Sequence, residues 1–453
     1  MANGRRRSGH NGAMRREVED YVRSLGLDAY LVGGAVRDEL LGLDSKDADF
    51  LVPGLDTEGL RAALAPHGRV EDLVVANRLV GVRLHPSDPR VRALTRAGIE
   101  FAPPRKEIST GPGRHDFEIV ADPTLSVEDD MARRDFTVNA MARRLATGEL
   151  VDPFGGRADL EARRLRTVSP QSFREDPLRL VRALRFVSQL GLEPDEELLA
   201  QMREEAPAVR LVSGERIGGG LAADGMGELS KLLLGREPAR ALRLARETGV
   251  LGELIPEFAA LDDDLAEHEL AVVQETADAG DPLAVRLAAL FHDLGKPVDP
   301  DPLGHARASA EIARATLARL RYPTRLARRV VAVVREHPVR EEDLPATARD
   351  VRRFLAQHGE ELAFDLVAHR RADLRAKDMD ATPVEALRAA LERERSSPHR
   401  LRDLAVGGDD LIALGFRPGP RLGRVLAELL AEVVDDPGLN TREALLARAR
   451  ERL

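Results

Sequence analysis

Along the first third of the chain apolar residues come in short runs, whereas from about Ser172 onward they recur at spacings of three and four. Residues 29–32 form an apolar run that stops at Gly33-Gly34, and residues 36–41 and 48–52 follow it with helical and strand character respectively. With a helical stretch in front, residues 17–54 predict helix, strand, turn, helix, strand, an α/β opening. Further β-like segments lie at residues 79–84 and 116–120, and the Pro- and Arg-rich stretch 85–114 between them has loop character. A long loop inside a small α/β domain is usually functional. Later in the chain, Leu178, Val181, Leu184 and Phe186 fall on one face of a helix, and helix dominates from there, with breaks at residues 299–303 and 417–420. The pattern predicts an α+β chain: a head with a mixed sheet and helices, then an all-helical remainder.

Composition narrows this reading. At 453 residues, and about 100–200 residues per domain, three or four domains are expected. Hydrophobic residues at 43%, twelve Phe, three Tyr and no Trp suit a helix-rich protein and leave few aromatic platforms for stacking bases. The absence of Cys excludes disulfides and thiolate metal sites and is compatible with a reducing cytoplasm, the compartment expected here. Residues 1–16 are basic and Gly/Asn-rich without an apolar core, and read as a disordered tail and not as a leader; no apolar run is long enough to span a membrane. The net charge of −9 argues weakly against a nucleic-acid binder, yet all but five of the 68 basic residues are Arg, whose planar fork suits phosphate. A GC-rich coding sequence would produce the same bias.

The chemistry concentrates in Leu31-Val-Gly-Gly-Ala-Val-Arg-Asp38, followed by Asp47-Ala-Asp49. Residues two apart in a strand share a face, so Asp47 and Asp49 would present two carboxylates side by side, able to hold Mg²⁺ together with phosphate oxygens. Gly33 and Gly34 would let backbone N–H groups approach a triphosphate, and Arg37 would add a cationic fork. Alone, an Asp-x-Asp among 77 acidic residues is expected by chance on solvated surface. The order of the two motifs is what makes the segment informative. It resembles the first signature of the class II tRNA nucleotidyltransferase and bacterial poly(A) polymerase family, within the polymerase β superfamily. Three further segments resemble later motifs in the family's order. Arg133-Arg-Asp-Phe-Thr-Val-Asn-Ala-Met-Ala142 matches the one that contacts the sugar and phosphates of the nucleotide. Asp152-Pro-Phe-Gly-Gly-Arg-Ala-Asp-Leu160 matches one associated with motion between head and neck. Glu175-Asp-Pro-Leu-Arg-Leu-Val-Arg-Ala-Leu-Arg-Phe186 matches the base-reading helix.

The resemblance implies a polymerase β-like nucleotidyltransferase head over residues 17–168, a helical neck over 169–260 that reads the nucleobase and binds RNA, and a helical tail over 386–453 that grips tRNA. It implies Mg²⁺ on Asp47 and Asp49, which would be catalytic, and nucleotide binding by Gly33, Gly34, Arg37, Asp38, Arg133, Arg134, Asp135, Asn139, Asp176, Arg179 and Arg182. CTP, ATP and tRNA would be the substrates and pyrophosphate the by-product, with neither a membrane nor a stable protein partner implied. Asp176 and Arg179, three apart on a predicted helix, would project from one face, one accepting and one donating hydrogen bonds. That order suits cytosine N4/N3 and adenine N6/N1, whereas guanine and uracil present the reverse. A surface ion-pair ladder from Glu175 and Asp176 to Arg179, extended by Arg182 and Arg185, is the plain alternative. Asp116 or Glu118 could supply a third carboxylate. The segment 105–115 lies where the family has a flexible element that converts specificity from C to A, and it leaves CCA addition, CC addition, A addition and poly(A) synthesis all open.

The second half contains Leu290-Phe-His-Asp-Leu-Gly-Lys296, which resembles the central signature of the HD metal-dependent phosphohydrolases. The resemblance implies an HD-type helical domain over residues 261–385 and a second divalent transition metal on His268, His292, Asp293 and Asp373, with His305 and His337 as further ligands. It also supplies the rival reading of another class, a metal-dependent phosphohydrolase with a degenerate head.

Overall fold

The computed structural model describes residues 5–43, 49–75, 78–109, 117–219, 226–338 and 344–453. The chain divides into two compact units, Met1–Ile217 with Leu244–Leu254, and Gly218–Arg243 with Ile255–Leu453. The segment expected as a neck, 169–260, is thus shared between them.

The strands of the first unit are β1 (Tyr30–Val32), β2 (Asp49–Leu51), β3 (Gly68–Val75), β4 (Arg78–Pro86), β5 (Ile99–Ala102), β6 (Arg105–Ser109), β7 (Phe117–Ala121), β8 (Ala142–Arg144), β9 (Leu150–Val151), β10 (Arg164–Leu165) and β11 (Glu193–Pro194). Among the described residues seven of them form one sheet in the order β3-β4-β5-β2-β1-β8-β9, and β6 pairs with β7 alone. The sheet is mixed because β2 and β5 run parallel while the other neighbours are antiparallel. Alternation explains the core: Val82, Leu84, Ile99 and Phe101 turn inward, and Phe50 stacks on Phe101 with centroids 5.6 Å apart. The helix Thr57–Leu64, capped by the Asp56 side chain, buries Leu60 and Leu64.

Two expectations are corrected. Of the stretch 85–114 expected as a loop, the described residues 85–109 are largely regular: β4 runs to Pro86, a helix capped by Asp88 covers Pro89–Leu94, and β5 and β6 follow, while 110–114 lie outside the described residues. The elements are too short, and too mixed with Pro and Arg, for their period to show. Residues 5–16, expected as part of a disordered tail, belong to the helix Arg5–Ser24. Val18 and Val22 bury its C-terminal half, and once a helix is anchored each added residue gains a hydrogen bond without a new nucleus.

The helix Leu178–Leu190 forms as its pattern predicts, burying Leu180, Val181, Leu184 and Val187, and ends at Gly191 in the left-handed conformation. Phe186 on it meets Phe136 edge-on with centroids 5.5 Å apart. Among its described residues the second unit is helical, and both expected breaks are helix starts with Pro in the first turn, at Pro302–Arg319 and Pro420–Asp435. The last segment has its own core, built on Val406, Leu411, Phe416, Leu429 and Leu445. No helix among the described residues is long and apolar enough to cross a membrane.

Gly156, which opens the helix Gly156–Glu161, packs so closely that an added Cβ would sit 2.1 Å from the Thr137 carbonyl oxygen. Gly156→Ala should therefore lower stability by about 1–3 kcal/mol. Gly252→Ala, in a helix with open space around it, should be neutral or slightly stabilising. Urea denaturation of the two variants checks the contrast.

Candidate active site and candidate metal centre

A cavity of about 820 Å³ opens in the first unit, and nine Arg against four carboxylates line it. That excess of fixed positive charge suits a polyphosphate. β1 delivers the chain to Gly33, whose φ of 68° favours glycine and whose missing Cβ leaves room for Arg134: a Cβ there would lie 2.4 Å from Arg134 Nη1. Gly34 lines the cavity and starts the helix Gly34–Leu40. From that helix Arg37 donates to Asn139 Oδ1 at 2.6 Å and to Asp38 Oδ1 at 2.7 Å, so Asp38 steers Arg37 and does not itself line the cavity. Asp49 is the first residue of β2, and continuing the β1/β2 register sets it opposite Val32, beside the Gly-Gly turn. Asp47 and Asp116 lie outside the described residues, as does the side chain of Glu118 in β7.

The segment after the helix Val127–Ala132 is held by buried charge. Asp130, fully buried, binds Arg133 at 2.7 Å and Arg134 at 3.1 Å. Asp135 accepts from Asn139 at 3.0 Å and from Arg182 at 2.6 Å. Burial alone would raise the pKa of Asp135, but Arg182 and Asn139 more than reverse this and hold it far below the usual carboxylate range.

The pair expected to read the base departs from expectation in one respect. Asp176 and Arg179 are not on one helix: the helix Ser172–Glu175 ends at Asp176, which is extended, and Leu178–Leu190 begins after Pro177. Proline has no N–H to continue the first helix and disfavours helical geometry in the residue before it. Both side chains nevertheless reach the same cavity. Arg179 donates to Ser172, to Glu175 at 3.0 Å and to the Arg133 carbonyl at 2.9 Å. Asp176 takes a bidentate pair from Arg216, at 2.6 and 3.0 Å. Of the ladder alternative, the Glu175–Arg179 pair forms.

Sequence reasoning missed two residues here. Arg216 is adjacent only in space. Glu100 sits opposite Asp49 in the parallel β2/β5 register, lines the same cavity and pairs with Arg83 at 2.5 Å. The alternation of Ile99 and Phe101 with Glu100 was the available signal.

In the second unit, five helices bring histidines together. His268 and Glu269 come from Asp263–Asp278, His292 and Asp293 follow Leu283–Phe291, and His305 lies in Pro302–Arg319. His337 ends Thr324–Glu336, and His369 and Asp373 lie in Glu360–Ala376. All four expected ligands converge. His268 Nε2 is 3.1 Å from Asp373 Oδ1 and 3.9 Å from Asp293 Oδ2, and His292 Nε2 is 3.4 Å from Asp293 Oδ2. The Nε2 atoms of His268, His292 and His369 are buried without an aligned hydrogen bond. Glu269, fully buried, brings Oε2 to 2.7 Å from His292 Nδ1 as a charge contact, while Nδ1 meets the Ala289 carbonyl at 3.0 Å. Burial opposes the imidazolium of His292, yet Glu269 and Asp293 push its pKa up to about 9. Lys296 caps Asp293, and Lys377 binds Asp373 at 2.6 Å. Buried imidazole nitrogens beside two carboxylates fit a divalent transition metal.

Residues 29–166 match the family described as the poly A polymerase head domain, 191–261 that described as a probable RNA and SrmB-binding site of polymerase A, and 305–449 that described as tRNA nucleotidyltransferase domain 2. The Multifunctional CCA protein of Burkholderia cenocepacia is 33% identical over 84% of this chain and 94% of its own. The chain belongs to the class II CCA-adding family of tRNA nucleotidyltransferases. A second family member, the Multifunctional CCA protein of Neisseria gonorrhoeae, is 38% identical over 69% of this chain and 74% of its own length. The crystal structure of the Bacillus stearothermophilus CCA-adding enzyme in complex with CTP superposes with a TM-score of 0.69 at 28% identity, over 98% of this chain and 97% of that one. As in the CCA-adding family at large, the protein is a nucleotidyltransferase.

Asp135 is the residue whose loss should show most clearly in stability. Its depressed pKa makes its contribution complete above the unfolded value, about pH 4, and lost as the pH falls through the lower folded value. Asp135→Asn should cost about 1.5–3 kcal/mol at pH 7. The deficit should shrink below about pH 4, as measured by urea denaturation across pH.

Proposed function

We propose that this chain adds the CCA end to tRNA without a nucleic-acid template. The observation that carries the reading is the shared cavity, in which Asp49, the Gly34 turn, a belt of arginines and the Asp176/Arg179 pair face one another. In the reaction the 3′-hydroxyl oxygen of tRNA bonds to the α-phosphorus of CTP or ATP, the bond from that phosphorus to the β-phosphate oxygen breaks, and pyrophosphate leaves while the hydroxyl proton passes to solvent. Asp49, with Asp47, would hold Mg²⁺, and Glu100 stands next in register as a further oxygen ligand. Bound there, Mg²⁺ supplies Lewis acidity to the phosphates and lowers the pKa of the hydroxyl. Arg37, Arg133, Arg134 and Arg182 would receive the triphosphate and ribose, with Asn139 keeping Arg37 in place. Asp176 accepts and Arg179 donates on one wall, which matches cytosine and adenine and leaves guanine and uracil unpaired, a strong basis for rejection. The names and complexes of the relatives point the same way: the Thermotoga maritima CCA-adding enzyme was solved with a tRNA, and the Bacillus enzyme with CTP.

Under this reading residues 17–168 are the head, 169–260 the neck and 386–453 the tRNA-binding tail of a cytoplasmic enzyme. A second, hydrolytic activity is favoured by the buried Nε2 atoms of His268 and His292 facing Asp293 and Asp373. Residues 261–385 would be an HD-type domain, and a divalent transition metal held by these four residues would supply Lewis acidity for phosphoester hydrolysis.

Purified protein given CTP, ATP and tRNA ending before CCA, after C, or after CC should complete all three ends. Addition of C alone, of A alone, or of an unlimited A tail would identify a different member of the family. Asp49→Ala should slow addition by about 10³-fold or more. Asp176→Ala should raise UMP or GMP incorporation relative to CMP by at least about tenfold, read by sequencing the extended ends.

A further inference from the structure

We propose that Phe186 is a positioning residue for the triphosphate of the incoming nucleotide: its ring gathers Arg37, Arg182 and Arg185 by cation–π contact and holds the head's cationic belt together. This rests on the preceding reading that the head's cavity takes CTP and ATP, and adds to it the group that sets where their phosphates can lie.

Three guanidinium groups surround one ring. Arg185 Cζ lies 4.5 Å from the Phe186 centroid, Arg37 Cζ 5.1 Å and Arg182 Cζ 5.9 Å. All three arginines and Phe186 line the cavity, yet Phe186 itself is only 1% exposed, so the contacts are made where water is largely excluded. Cation–π attraction is strongest under such conditions. Arg182 stands one helical turn before Phe186 and Arg185 directly before it, whereas Arg37 comes from the helix Gly34–Leu40. The ring thus gathers cations from two segments far apart in sequence.

Packing alone does not call for an aromatic ring here. Phe136 meets Phe186 edge-on, but leucine or methionine would fill much of the same space. What an aliphatic side chain lacks is the negative π face. Three like charges around one point repel one another, and part of that repulsion is met by Asp38 on Arg37 and by Asp135 on Arg182. A further carboxylate at position 186 would also hold the arginines, and it would cancel positive charge that a triphosphate needs. The ring attracts the cations and carries no net charge, so the belt keeps its full field. A guanidinium makes its hydrogen bonds in its own plane, which leaves its flat face for a ring and its edges for carboxylate or phosphate.

The test uses the full chain with Phe186 replaced in turn by mono-, di- and trifluorophenylalanine, which keep the ring's shape closely and deplete its π face of negative charge stepwise. Binding of CTP and of ATP, without tRNA, is measured by isothermal titration calorimetry. Affinity should fall at each step, reaching about three- to tenfold for the trifluoro ring, and by the same factor for both nucleotides, because the triphosphate is common to them. Pyrophosphate, a probe with no base, should weaken alongside. Phe186→Leu should raise KM for CTP by at least about tenfold. Urea denaturation follows folding in each variant, and the fluorinated series carries the test if Phe186→Leu unfolds. Equal affinity across the series overturns this inference even where Phe186→Leu weakens CTP, because the ring's shape and not its charge distribution would then matter. Loss confined to one of the two nucleotides overturns it also, by placing the defect at the base. A parent protein that binds neither nucleotide overturns the cavity reading itself.

Discussion

The carboxylate of Asp135 ties together the three segments that make the head's cavity. It accepts from Asn139, which in turn accepts from Arg37 on the helix behind the Gly-Gly turn, and it pairs with Arg182 on the helix Leu178–Leu190. A buried carboxylate is tolerated only when its lone pairs are filled by charged or strongly polar donors. Satisfying Asp135 therefore obliges the helix Gly34–Leu40 and the helix Leu178–Leu190 to take fixed positions around one point. Phe136 against Phe186 repeats the same junction in apolar form.

A comparable economy governs Asp130, which anchors Arg133 and Arg134 from beneath the cavity. Arginines gathered around an anion site repel one another in the absence of ligand. Asp130 offsets that repulsion from the protein side and holds both guanidinium groups in place. Arg216 and Asp176 are related in the same way: the bidentate pair fixes the acceptor that would face a base.

The histidine cluster uses a different device. His292 and His337 stand where helices end, and their Nδ1 atoms meet carbonyls of the helix they terminate, at 3.0 and 2.7 Å. The last carbonyls of a helix lack partners within it. A histidine there satisfies one of them and turns its other nitrogen toward the common centre, so one contact both caps the helix and orients the ring.

Much of this protein was legible in residue order. Short-range pattern marked the α/β opening, the change to helix after Ser172, and the helix Leu178–Leu190. Motif order pointed to the family, because phosphate chemistry needs glycine, carboxylate and arginine at particular steps along a local turn. Glu100 beside Asp49, Arg216 against Asp176, and His305 facing His337 belong to tertiary structure alone. Each pair is brought together across strands or helices distant in sequence, and local spacing carries no record of such contacts. The break at Pro177 shows the boundary from the other side: the sequence supplied the proline, but only packing decided that Asp176 and Arg179 would still face the same cavity after the helix was interrupted.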